Sequence, residues 1–377
     1  GLVPTPPIEA IHGQLYRPIG ASQWQWFKPG EEYNQAKVES ALAQCGHLNP
    51  TQFAIHVTGS EDELHTGAIW IEPVDWSKAS NIAPVTSTVE FSPAFTAIRE
   101  RGGRLRAWGT DQGGNDVSTN PDNARATAFD DFIEVDSLNN GTWVALRRTG
   151  DTVALKNEFD GLREVTGMDV NFTHGVFVHG DGSASVVDQG KGILSARKHL
   201  PGADVLNGVV GFDGLYFLID REGRGHLQFF KAKEDSSRNF PKYESFLQGR
   251  RDIVKIDARG GFGVLTQKGD AYTRDEEQRE VTLRTGLPAL VNLDVSQSGS
   301  IALDREGRIH VWGESEYLRA VPEDIPPAVG IKVVNNVAAA QLATGQWVAW
   351  GDNSKGLVDR INGVGPAIGI EFLFDSR

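Results

Sequence analysis

The chain of 377 residues has a single cysteine, which excludes an intrachain disulfide framework and any zinc site built from thiolates, so packing must hold it together. It has no run of about 18 apolar residues, and no basic-then-apolar leader that would read as an export peptide. Positive charge is in deficit. The 37 Lys and Arg stand against 50 Asp and Glu, a net charge of -13 that repels phosphate backbones and anionic lipid. The expected partners therefore include no nucleic acid and no membrane interior. Catalytic signatures are missing as well: there is no Gly-x-Ser-x-Gly elbow, no His-Glu-x-x-His, no Walker A and no calcium loop. Gly363-Val364-Gly365-Pro366-Ala367-Ile368-Gly369 has the wrong spacing for a phosphate loop, and Pro366 intrudes. No catalytic residue, metal ligand or cofactor is assigned. The opening Gly1-Leu2-Val3-Pro4, without Met, reads as a processed form or a piece of a larger bacterial-type protein, with a location outside the cytoplasm as the expectation.

What the chain has is glycine and repetition. Its 43 Gly and 17 Pro, with no Ala/Leu/Glu/Lys-rich stretch after the first fifty residues, predict short strands joined by tight turns, an all-β class. Two pentapeptides are identical, Asp220-Arg221-Glu222-Gly223-Arg224 and Asp304-Arg305-Glu306-Gly307-Arg308, and each follows an apolar run. Aligning on their glycine gives seven copies, at Gly103, Gly150, Gly182, Gly223, Gly269, Gly307 and Gly345, spaced by 47, 32, 41, 46, 38 and 38 residues. Each copy reads as strand, polar turn and strand, with glycine where the turn needs a positive φ. Another short apolar-alternating segment precedes most hairpins, such as Ile253-Val254-Lys255-Ile256 and Val291-Asn292-Leu293-Asp294-Val295. A unit of roughly 40 residues with three or four antiparallel strands cannot bury both faces alone, and stacking the units around an axis is the propeller solution.

The ends predict how such a ring closes. Residues 367–374 match the leading strand of a unit whose hairpin never arrives, and a looser eighth hairpin spans Phe53–Val57 and Gly67–Ile71. Pairing these two would build one sheet from both termini, remove two free edges and give eight blades by hairpin count. The rival count is seven, with the last strand joining the hairpin at Gly103 and residues 53–71 packing outside.

The segments Gly307-Arg308-Ile309-His310-Val311-Trp312-Gly313, Gly345 to Leu357 with its Trp350-Gly351, and Gly103 to Gly109 with Trp108 resemble the repeat of the regulator of chromosome condensation family. The likeness covers about residues 85–377. It implies a propeller, usually of seven blades, and transmits no single function, because that fold serves nucleotide exchange, inhibitor binding and scaffolding alike.

Residues 1–50 read as an N-terminal extension before a propeller at 51–377. Within it Val38, Ala41, Leu42 and Cys45 fall on one helical stripe that Gly46 ends, predicting one amphipathic helix. Trp108, Trp312 and Trp350 recur at one blade position and, with Gly103, Gly307 and Gly345, are assigned to the framework between blades. His174 and His179 are five apart on one strand, so they point to opposite faces and are not expected to share a metal. His226 and His310 also follow the repeat and are read as packing residues. The binding candidates lie on the longer loops: Asp111, Gln112 and Asn115 in residues 110–128, and Lys231, Lys233, Arg238, Phe240, Lys242 and Tyr243 in residues 231–249. The second loop is basic and aromatic within an acidic chain, which suits an acidic protein surface or a sugar stacked on Phe240 and Tyr243. The function expected is that of a non-enzymatic propeller binding a protein through loops on one face; the alternatives are a lyase or hydrolase with its site at the central channel, and a carbohydrate-binding module.

Overall fold

The computed structural model describes residues 129–363 apart from short internal stretches, and outside that span only the strands. The expected all-β class holds: the chain forms sheets of three or four strands, antiparallel in every pairing but that of Leu15–Pro18 with Ala68–Pro73, and most of them consecutive meanders. In sheet II these strands are Phe132–Ser137, Trp143–Arg147 and Thr152–Ala154. Sheet III has Val165–Asn171, His174–His179, Ala184–Asp188 and Gly192–Lys198. Sheet IV follows with Val205–Val210, Leu215–Asp220 and Gly225–Phe229. Sheet V comprises Ile253–Asp257, Gly263–Thr266, Ala271–Arg274 and Val281–Leu283. Sheet VI has Leu290–Ser296, Gly299–Asp304 and Ile309–Trp312, and sheet VII has Ala328–Val334, Val337–Leu342 and Trp347–Gly351.

Sheet I joins the last described strand to a hairpin from the first third of the chain. Its first strand is the C-terminal Gly369–Phe374, which pairs antiparallel with Ala94–Arg99, itself paired with Leu105–Gly109. This corrects the pairing on which the hairpin count of eight rests. The hairpin of Phe53–Thr58 and Ala68–Pro73 does not receive the last strand; Leu15–Pro18 pairs with both of its strands, and Gln25–Trp26 extends the separate sheet so formed. The helix expected over residues 31–46 lies outside the described residues.

The core lies in slices between successive sheets. Phe177 and Met168 of sheet III bury against Val144 and Leu146 of sheet II; Val176 and Val178 face Val205 and Val210 of sheet IV. Leu293 and Val295 of sheet VI pack on Val254 and Leu265 of sheet V, and Ile301 and Leu303 pack on Ile331 and Val333 of sheet VII. Both faces of these sheets are thus covered, so their middle strands read as buried runs, as in Ala184–Asp188 and in Trp143–Arg147 up to Leu146. Each fully buried Val, Leu, Ile or Phe contributes about 1.5–3 kcal/mol relative to exposure.

A feature of the opening strands repeats without exception from sheet II to sheet VII. Each carries a bulge after its first residue, between Phe132 and Glu134, Val165 and Gly167, Val205 and Asn207, Ile253 and Lys255, Leu290 and Asn292, and Ala328 and Gly330. A bulge bends the strand and increases its twist, while its first residue stays in register with the next strand of its own sheet.

Candidate functional site

The repeated glycines do more than turn the chain. Gly150, Gly182, Gly223, Gly269 and Gly307 have φ between 72° and 86°. In each the carbonyl accepts the N–H of the first residue of the next sheet: Val165, Val205, Ile253, Leu290 and Ala328, at 2.8–3.0 Å. The approach leaves no room for a side chain, since a Cβ on Gly269 would sit 2.6 Å from the Leu290 nitrogen and one on Gly307 2.8 Å from the Ala328 carbonyl oxygen.

Beside this glycine sits a polar pair at the turn's first residue and six residues on. Asp220 Oδ1 accepts from the N–H groups of Glu222 and Arg224, while its Oδ2 accepts from Arg224 Nε at 2.7 Å and His226 Nε2 at 2.8 Å. Asp304 Oδ1 likewise accepts from the N–H groups of Glu306 and Arg308, and its Oδ2 from His310 Nε2 at 2.9 Å. Burial works to raise both carboxyls, but the bonds from histidine and from the turn outweigh it and hold them below the usual carboxylate range. In sheet III the pair is His179 and Ser185. The Nδ1–H of His179 donates to the carbonyls of Arg163 and Glu164, which leaves Nε2 to accept from Ser185 Oγ at 2.7 Å, and burial together with Arg197 depresses the imidazole pKa. A Ser–His pair invites a nucleophilic reading. Both side chains are only 4% exposed, however, and they occupy the positions of the Asp–His pairs, so this pair fastens the turn. His174 lies 3.2 Å from Asp188, and its ring is tilted against that of Phe230 with centroids 4.2 Å apart.

A second set of ties runs between the opening strands. Asp136, Asp169, Asp257 and Asp294 occupy one register position, opposite Val144, Val176, Gly263 and Ile301. Each points an Oδ2 at a main-chain N–H of the following sheet: Val170 at 3.1 Å, Val210 at 2.6 Å, Val295 at 2.6 Å and Val333 at 2.7 Å. Sheet IV has Val209 at this position and sheet VII has Lys332. Arg259, two residues after Asp257, reaches past sheet IV to Asp136 Oδ1 at 3.1 Å, Asp169 Oδ1 at 3.4 Å and the Val170 carbonyl at 3.1 Å. Lys255 donates to Asn292 at 2.9 Å and lies 3.7 Å from Asp294. Burial pushes the Asp136 carboxyl up to about 6 despite the lowering pull of Arg259. In the sequence such opening strands stand out by their apolar alternation, against which a single carboxylate is inconspicuous. An Asp 12–14 residues before the repeated glycine in four units was the signal available.

The residues chosen from sequence fare differently. Trp312 donates its indole N–H to Thr273 of sheet V at 3.2 Å, and buried Trp350 donates to the Leu318 carbonyl at 2.9 Å. Tyr243 is corrected. Residues 231–249 are not one loop, because Phe240–Leu247 form a helix whose Tyr243 and Leu247 enter the core between sheets IV and V. Tyr243 stacks on Phe262 at 4.3 Å and accepts from Arg274 at 3.0 Å, and at 8% exposure it offers no face to a sugar. Lys242 faces Glu280 at 3.6 Å. Lys231, Lys233, Arg238, Asp111, Gln112, Asn115, Gly103 and Gly345 lie outside the described residues, as do the side chains of Phe240 and Trp108. Among the described residues no cluster of three His, Cys, Asp or Glu could hold a metal, and no helix is long and apolar enough to cross a membrane.

The chain matches no protein-family model and no curated protein sequence. Solved structures do resemble it. Prp20p of Saccharomyces cerevisiae, described with its binding to Gsp1p and histones, is 12% identical with a TM-score of 0.49 over 78% of this chain and 88% of that one. Yeast RCC1 (Prp20) in its complex with Kap60 gives 11% identity and a TM-score of 0.48 over 74% and 85%. The ectodomain of the Physcomitrella patens receptor kinase CR4 gives 12% and 0.48 over 70% and 72%.

Proposed function

We propose that this chain is a seven-bladed ring that binds a protein partner through loops on one face and carries out no reaction of its own. What supports the ring is the order of contacts. Each sheet from I to VII lies against its successor, and the opening strand of sheet VII lies against the C-terminal strand of sheet I. The hairpin 53–73, joined by strands from residues 1–50, then stands outside the ring as part of the N-terminal extension.

The observation that carries the functional reading is how the polar groups are used. Arg259 spans the converging opening strands, and the carboxylates there are bonded to main-chain N–H groups of neighbouring sheets. A catalytic carboxylate needs an oxygen free to meet substrate, and these are spent on holding sheets together. Recognition then falls to the loops, with Lys231, Lys233 and Arg238 of residues 231–239 meeting an acidic protein surface, and Asp111, Gln112 and Asn115 of residues 110–128 as the second set. The test is affinity capture with the whole chain, followed by reconstitution of each captured protein with the purified chain and with a variant whose residues 231–239 are replaced by a glycine-serine linker. The reading expects a purified pair with micromolar or tighter affinity that weakens at least tenfold in the variant. A pair indifferent to the replacement moves the site off this loop, and no reconstituted pair at all overturns the protein-binding reading.

A further inference from the structure

Sheet III ends differently from the sheets beside it. Helix Phe240–Leu247 covers the outer strand of sheet IV, helix Leu357–Gly363 covers that of sheet VII, and the outer strand of sheet V has only three residues. The outer strand of sheet III, Gly192–Lys198, has seven, and among the described residues nothing pairs with its free edge. Every one of the seven is at least partly exposed. Ile193 and Leu194, 53% and 39% exposed, are two of the four large apolar side chains left in solvent among the described residues, and they are neighbours. Positive charge flanks them. Residues 190–203 hold Lys191, Arg197 and Lys198 with no Asp or Glu, in a chain whose net charge is -13. The acids at the two ends of the strand are already engaged: Glu164 pairs with Arg197, Asp181 lies 3.9 Å from both Arg197 and His199, and Asp188 accepts from the Gly190 and Lys191 N–H groups and faces His174. No ion pair among the described residues uses the ammonium group of Lys191 or Lys198.

We propose that this strand is a docking surface separate from residues 231–239, on which an acidic segment of a protein partner lies with apolar side chains against Ile193 and Leu194 and carboxylates against Lys191 and Lys198. An apolar centre with a charged rim is the anatomy of a protein contact. Each rival occupant meets an obstacle. A second copy adding its own strand would bring lysine to lysine, and the two bulges in the pairing with Ala184–Asp188 twist the edge away from strand-on-strand association. A nucleic acid or an anionic bilayer presents negative charge well beyond the length of one strand, where the rest of an acidic chain repels it. A short acidic segment meets only the local cations, because charges more than a Debye length of about 8–10 Å away are largely screened.

The probe is a fluorescent peptide in which Glu alternates with Val and Leu, titrated into the whole chain by anisotropy beside a counterpart with Lys for every Glu. The acidic peptide is expected to bind at about 10–100 µM and to weaken roughly tenfold when salt is raised from about 0.05 to 0.5 M. Two double variants locate it. Ile193→Ser with Leu194→Ser removes the apolar centre, and Lys191→Glu with Lys198→Glu reverses the rim; all four side chains are exposed, so neither variant should shift the melting midpoint. Each is expected to weaken binding roughly tenfold, while Lys191→Arg with Lys198→Arg, which keeps the charge, should bind as the wild type does. Equal binding of the two peptides, indifference to either weakening variant, or no binding below about 1 mM overturns the proposal. Tighter retention on phosphatidylserine vesicles than on the peptide through the same residues overturns it too, as does a dimer of the chain alone that the variants dissolve, since either gives the strand another occupant. Residues 231–239 are unchanged throughout, so a failure at the strand is distinguishable from a failure at that loop.

Discussion

At the scale of single residues, the glycine of each turn is held by two demands that separate experimentally. Gly214 and Gly269 both have positive φ, 75° and 86°, but a Cβ on Gly214 meets nothing within 4 Å while one on Gly269 overlaps Leu290 main chain. Gly214→Ala is expected to cost about 1–2 kcal/mol, the left-handed strain alone. Gly269→Ala is expected to cost roughly 2–5 kcal/mol, because steric overlap adds to that strain. Urea denaturation of the two variants checks this, and equal losses would mean that the close approach of the sheets contributes nothing. Asp304 gives a second case. Its side chain is fully buried, with three donors aimed at it, so Asp304→Ala should cost about 3–5 kcal/mol at neutral pH. Since the folded carboxyl sits below its ordinary 3.8, that contribution is present above about 4 and is lost as pH falls. The gap between wild type and variant should therefore narrow in acid melts below pH 4, and a constant gap would assign the cost to packing. The glycines of these turns were legible as turn residues, because the need for positive φ is local. Their carbonyl bonds to the next sheet were not, because the partner lies at least 15 residues away and leaves no local pattern.

At the scale of elements, the helix Phe240–Leu247 shows why composition misled. A basic, aromatic stretch reads as a surface loop, yet Pro241 is well placed in a first helical turn and Tyr243, Phe246 and Leu247 fall three and four apart. At eight residues it is too short for periodicity to outweigh composition. The helix covers the outer strand of sheet IV, so it stands where sheets III and V have a fourth strand. Tyr243→Ala is expected to destabilise by about 3–5 kcal/mol, while Lys242→Ala, which breaks only a partly exposed pair with Glu280, should cost under about 1 kcal/mol. Thermal melts of the two variants distinguish a packing element from a binding loop, and similar small losses would restore the loop reading. The hairpins, by contrast, were readable from sequence nearly strand for strand, because a buried middle strand bounded by a glycine turn leaves an apolar run with a fixed end. The bulge after the first residue of each opening strand left no trace that a single copy reveals; it emerges only when six registers are compared.

At the scale of the whole molecule, the repeat was legible and the partner of the last strand was not, since Gly369–Phe374 is apolar enough to complete either of two early hairpins. Its pairing with Ala94–Arg99 predicts that a chain ending at residue 366 loses more than one strand's worth of stability. Such a truncation is expected to lower the midpoint of unfolding and to separate the single transition into two, read by near-ultraviolet dichroism and calorimetry together; one coincident transition at an unchanged midpoint would remove the strand from the framework. The glycine carbonyls described above have a consequence for how such a chain can change over generations. Among the described residues each of the five ties has its acceptor in one unit and its donor in the next, always in the same direction. Duplication or loss in phase with the period hands each carbonyl a new but equivalent donor. A break that falls between a glycine and the strand after it leaves one acceptor and one donor stranded at a buried join. The tolerated boundaries of this protein are therefore set by its seams, and each sheet is inherited together with the first residue of its neighbour.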